Sequence, residues 1–488
     1  MLGCSSVDIV WVSMASSRGL SGFDLSEDDV MADRFVRFFQ ACRVLPVLIP
    51  MFVGSIVSAG NLDAVSSRHL ASSLRSGGYQ PTDEPAWFVE RAENSTLRIS
   101  VLTQVRYSFS QRRSGFVPPS TEQTVGFSMP RTRIAFDGTI VSSQFNYRIS
   151  MDFGDAELSR GRGTGSPLTG STGAPRLLDA YAQYNFIGKR EGYYLKFGQF
   201  QSVLVTEEAI ASEYQLAIDR SLSSEIFGSG YTQGFAVGHV GDSFAWEASI
   251  TDGGRYLGSR ETDNTAFNSV EEADLALGVR VDWKLEGSWD QFQDFTSFQG
   301  SNPGSKIGGG FLYQFHGQSN PGGQTPGFIG AVADSTQIFS WSLDYQREGD
   351  GWNFFAGYLG QWVDWEVGPA TLGAMQNAFV FQGGWFLTDQ IEAYARFETF
   401  WLDKAFRNGF GTPDGFIHRI GTIGANYYFL PESHAAKFSA DVSYTFDSLF
   451  ALTVGSGDSI GLPDPSTTGF LGLTERETVV RVQLQLAF

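Results

Sequence analysis

His69, His239, His316, His418 and His434 are the side chains best suited to proton transfer or metal ligation near neutral pH. None stands at the i, i+4 spacing that sets two imidazoles on one helical face, so the zinc-hydrolase pattern is missing. No phosphate-cradling P-loop occurs, and Gly228-Ser229-Gly230 and Gly308-Gly309-Gly310 read as strand-end glycines. Asp252, Asp263, Glu271 and Glu272 could attract Ca²⁺ but lack the regular spacing of a calcium loop. No catalytic residue, metal ligand or cofactor is therefore assigned. What remains is electrostatic: six arginines (Arg98, Arg106, Arg131, Arg133, Arg148, Arg481) and an acidic stretch holding Glu207, Glu208, Glu213, Asp219 and Glu225 against Arg220. Such groups can sort ions if the fold points them into one aqueous space.

The elements that would position them are strands. Leu275, Leu277, Val279, Val281, Trp283 and Leu285 alternate with Asp274, Arg280, Asp282, Lys284 and Glu286. Phe145, Tyr147, Ile149, Met151 and Phe153 alternate with Gln144, Asn146, Arg148, Ser150 and Asp152. The end of the chain repeats the pattern, with Val480, Val482, Leu484, Leu486 and Phe488 on one side and Arg481, Gln483 and Gln485 on the other. Period two gives each strand one oily and one wet face. The runs are about 9–14 residues, the length a tilted strand needs to cross a bilayer.

Sixteen such segments run from 96–110 to 477–488, with 376–387 alternating poorly and a phase slip near Pro130. Gaps after odd-numbered segments are long, including 201–229 and 364–375; those after even-numbered ones are mostly tight turns. The exception is 287–305. The pattern predicts an all-β fold, a transmembrane antiparallel β-barrel of about 16 strands with long extracellular loops and short periplasmic turns. A barrel of that size leaves an aqueous lumen. Trp283, Trp362, Trp385 and Trp401 fall near strand ends, as interface girdles do.

Composition agrees. Aromatic residues make up 14% of the 488, yet mean hydropathy is only −0.12, as two-faced strands require. A formal charge of −19 excludes nucleic acid as a partner, since phosphate binding needs a basic surface. Arg34, Arg37 and Arg43, the apolar run 44–57 and Val57-Ser58-Ala59 lay out a signal peptide over 1–59, with Met31 the better start. Cleavage there would remove both cysteines, Cys4 and Cys42. A periplasmic lead-in (60–95) and the barrel (96–488) follow.

One stretch resembles a known family. Arg131-Thr132-Arg133, Phe136-Asp137-Gly138, Leu178-Asp179-Ala180-Tyr181, Gly198-Gln199-Phe200 and Asp219-Arg220-Ser221-Leu222 are similar, in order and spacing, to the phosphate-selective porin O and P family. The resemblance covers about 130–240. It implies a sixteen-stranded, usually trimeric outer-membrane porin, a passive diffusion channel whose third long loop folds inward. Its implied partners are outer-membrane lipid, small solutes or ions, two further copies of the chain, and the barrel assembly machinery reading Phe488. The family's lysine after Gly-Gln-Phe is replaced here by Gln201-Ser202-Val203, and the third loop is acidic. Such a constriction repels phosphate. The expectation is a diffusion channel for small hydrophilic solutes or ions, with a basic wall (Arg98, Arg106, Arg131, Arg133, Arg148, Arg481) facing an acidic constriction loop (Glu207, Glu208, Glu213, Asp219, Glu225). The alternatives are an anion or phosphate channel, and a barrel enzyme or adhesin using the long loops.

Overall fold

A computed structural model describes residues 88–92, 95–114, 121–154, 175–186, 192–254, 273–317, 333–403, 417–449, 468–472 and 474–488. The expected signal peptide, most of the lead-in and Asp263, Glu271 and Glu272 lie outside these residues. Seventeen strands form one antiparallel sheet. A short β1 (Phe88–Ala92) pairs with the start of β2 (Ser95–Ser114), Phe88 opposite Ile99 and Ala92 opposite Ser95. The remaining strands each pair with the next in sequence, and β17 (Thr474–Ala487) pairs back onto β2, so sixteen strands close a barrel. The backbone of Phe488 seals the seam, exchanging hydrogen bonds with Val101 (2.6 and 3.0 Å). Closure pairs both edges of each of the sixteen barrel strands, as a bilayer demands. Among the described residues no helix is long and apolar enough to cross a membrane.

Alternation becomes two faces. Phe127, Phe235, Ile250, Ile423 and Leu343 are exposed on the outside, while Lys196, Glu247, Arg280, Asp282 and Lys306 are buried on the inside. Trp283, Trp385 and Tyr193 are exposed near the short-turn rim, where amphipathic rings favour the headgroup layer.

Three local features depart from simple alternation. Two residues of β3 (Thr121–Ile140), Met129 and Pro130, sit opposite one on β2, because the register shifts between Gln104 and Arg106. Proline cannot donate to the ladder, and a bulge at that point exchanges the faces of the residues beyond it. Val125, Phe127 and Met129 point outward before the bulge; Arg131 turns inward after it. Secondly, the expected long loop 364–375 is strand. β12 (Trp352–Val367) and β13 (Ala370–Thr388) pair to the very tip, Val367 opposite Ala370. Gly368, at φ +56°, makes the tight turn, a backbone conformation in which glycine is unstrained. Thirdly, the long periplasmic connection between β9 (Leu275–Glu286) and β10 (Gly304–His316) is real and folds into the barrel mouth, with a 3₁₀ turn at Trp289–Gln293.

Candidate functional site

The lumen is crossed by the loop between β6 (Gly192–Gln201) and β7 (Tyr231–Val240). It carries two short helices, α1 (Thr206–Ala209) and α2 (Leu222–Phe227), and nearly all of it is buried. Ser221 caps α2 by accepting from the Ser224 amide at 3.0 Å, which satisfies a donor that helix geometry leaves free.

Apolar contact seats the loop on one side of the barrel. Leu222, Ile226 and Phe227 of α2 join Leu359 and Val363 on β12, Ala378 on β13 and Phe400 on β14 (Ile391–Trp401) in one buried cluster. Ile210, Leu216 and Ala217 form a second with Phe355, Val380 and Tyr394. This stretch of inner wall is apolar, which is why 376–387 shows weak alternation: Ala374, Ala378 and Val380 face inward beside outward-facing Phe381 and Trp385. A sequence in which every inner face is taken as wet hides this seat. The lack of alternation is its only trace.

The six arginines are brought together on neighbouring strands β2, β3, β4 (Ser142–Asp152) and β17, and each meets a carboxylate. Arg98 pairs with Asp137 at 2.9 Å, and Arg148 with Asp137 at 3.3 Å and Asp179 at 3.1 Å. Arg133 holds Asp152 at 2.6 Å and donates to Ser212 Oγ of the loop at 3.0 Å. Arg481 pairs with Asp441 at 2.7 Å. Arg131 and Arg106 converge on one loop carboxylate, Asp219, at 2.7 and 3.2 Å. Burial alone works against the charge on Asp219, but the two guanidiniums outweigh it and hold this carboxyl well below the usual range.

The five loop acids do not form one face. Glu207 accepts from the Ser221 amide (3.0 Å) and hydroxyl (2.5 Å), and burial pushes its carboxyl above the ordinary value. Glu208 accepts from the Ser229 amide at 3.0 Å. Glu225 lies 3.8 Å from Arg220. Asp219 is clamped as described, and Glu213 borders the cavity described below. Thus Glu207, Glu208 and Asp219 brace the loop, and wall and loop meet by direct contact at Asp219 rather than across water.

The strands opposite contribute an anchor. Arg280 of β9 binds Asp282 (2.8 Å) and Asp344 (2.9 Å) and donates to the Leu204 carbonyl (3.3 Å) and Thr206 Oγ1 (2.8 Å) at the loop's start. Gly308 makes this cluster possible: a Cβ there would collide with the Arg280 guanidinium and Asp282.

Between the loop and the periplasmic rim lies a cavity of about 780 Å³, bounded by Arg133, Arg148, Asp179, Glu213, Asp294 and His434 among others. A closed antiparallel barrel with an oily exterior, a charged interior and an inward-folded third loop defines a membrane channel. Residues 101–286 match the family model described as phosphate-selective porin O and P, including the Arg131–Leu222 stretch that carried the resemblance. The chain is a porin of the bacterial outer membrane, a diffusion channel. Among solved structures it is similar to OmpT of Vibrio cholerae in its trimer form (12% identity, 81% of this chain and 100% of that chain, TM-score 0.49). It is also similar to the anion-selective porin from Comamonas acidovorans (10% identity, 81% and 100%, TM-score 0.47) and Salmonella typhi OmpF in complex with daunomycin (11% identity, 82% and 100%, TM-score 0.49). No curated protein matches the chain.

Proposed function

We propose that this porin passes small hydrophilic solutes and leans toward cations. The observation that carries this reading is the charge around the cavity: Glu213, Asp290, Asp294 and Glu432, beside Arg133 and Arg148. Both arginines are already paired with aspartates, so the field in the remaining water is negative. Lumenal charge at close quarters sets the ion preference of a pore. Glu207 and Glu208 are engaged inside the loop and Asp219 by the wall arginines, so the preference is set chiefly below the loop. No catalytic step belongs to this reading; the chain works as a homotrimer, inserted by the barrel assembly machinery through its Phe488 strand.

An anion or phosphate channel is the second reading, favoured by six inward arginines on adjacent strands. Planar bilayers with unequal KCl on the two sides separate the two. A zero-current potential of cation sign, unaffected by added phosphate, supports the proposal. A potential of anion sign, or block of chloride current by phosphate, supports the second reading and refutes the first.

A further inference from the structure

A two-residue turn is enough to join two antiparallel strands, and β9 and β10 are already paired at their periplasmic ends, Glu286 opposite Ser305. Residues 287–303 are therefore not needed for connection. They are nevertheless held in place along their length. Gln291 closes the base by donating to the Asn302 carbonyl (2.6 Å), and Trp289 Nε1 donates to the Gly241 carbonyl (2.7 Å). Phe295 stacks edge-on against Phe355 of β12, with centroids 4.9 Å apart. Ser297 Oγ donates to the Gly349 carbonyl (2.5 Å), and Thr296 Oγ1 lies 3.2 Å from the Tyr428 hydroxyl. Phe298 packs on Phe386, Tyr428 and His434.

The segment thus reaches from β9 past β11 (Ser335–Gly349), β12 and β13 to the end of β15 (Ile417–Tyr428) and the turn holding His434. It also touches the loop above: the Phe295 amide donates to the Tyr214 carbonyl (3.1 Å), and the Tyr214 ring meets His434 edge-on. The space left beneath the loop is bounded by Arg133, Arg148 and Asp179 on β3, β4 and β5 (Arg176–Asn185) and by Glu432 and His434 at that turn, with Asp290, Asp294 and Gln299 of the segment as a further wall.

We propose that residues 287–303 are a second constriction, a periplasmic sill that narrows the exit path to the space between it and the wall bearing Arg133, Arg148 and Asp179, and whose Asp290 and Asp294 help set ion preference there. This rests on the porin reading. Solutes then pass two narrow places in series, the acid-braced loop and the sill, with the cavity between them.

The test uses single-channel recording of the full chain in planar bilayers. Replacing 287–304 by Asn-Gly should raise unit conductance, by up to about two-fold if the two constrictions are comparable, since series resistance falls when one is removed. Should that variant fail to fold, Gln299→Cys in a Cys4→Ser, Cys42→Ser background serves instead. A bulky thiol reagent on the periplasmic side should then lower the current in steps, while Asp290→Asn with Asp294→Asn should weaken cation preference. Unchanged conductance in the turn replacement, or no effect of either the reagent or the double variant, overturns the sill. No conductance from the parent chain would instead reject the porin reading itself.

Discussion

Asp219 is the residue on which the inward loop turns. Two guanidiniums meet it in a site closed to water, and removing one partner of a buried charge cluster leaves the others uncompensated. Asp219→Asn is expected to cost about 3–5 kcal/mol of loop docking, read as new protease cuts within 203–230 and flickering single-channel current. Undisturbed current would mean that the apolar seat alone suffices. The same pair sets a pH dependence. A carboxyl held below its ordinary value, about 3.9 unfolded, stabilises fully above that value and loses its contribution as pH falls through the lower folded one. Current noise should stay constant from neutral pH down to about pH 4 and rise only in stronger acid; noise that grows already between pH 6 and 5 would contradict the clamp. The sequence announced these charges but not their pairing. Asp219 and Arg131 are 88 positions apart, and only barrel closure and the Pro130 bulge bring them together.

Among the elements, sixteen spanning strands were legible because length and period two are written locally in each run. The extended β12–β13 tip was not, since Gly368 and Pro369 read equally well as part of a long loop. Nor was the apolar inner wall, whose purpose appears only when α2 is laid on it. Phe227, 3% exposed, is the largest α2 side chain in that contact. Phe227→Ala should cost about 3–5 kcal/mol, loosening the loop while the barrel itself stays intact. Hydrogen exchange in detergent reports both: faster exchange across 222–227 with strand protection unchanged is expected, and equal protection in both proteins would show that α2 is not seated by packing. The sill was visible in sequence only as a connection too long for its side of the barrel.

At the scale of the molecule, stability in lipid depends on a continuous oily exterior. Phe235 in the middle of β7 is 62% exposed on that face, and Phe235→Arg should cost about 2–4 kcal/mol if it lies at the bilayer midplane. The change would appear as a lower temperature for the shift from compact to extended migration on gels; no change would place β7 away from lipid. The whole picture needs water to run from one rim to the other past the docked loop. Recording from the refolded chain in a bilayer under symmetric KCl settles that. Discrete, roughly ohmic current steps are predicted, whereas protein shown to be folded and inserted that stays electrically silent would mean the lumen is sealed.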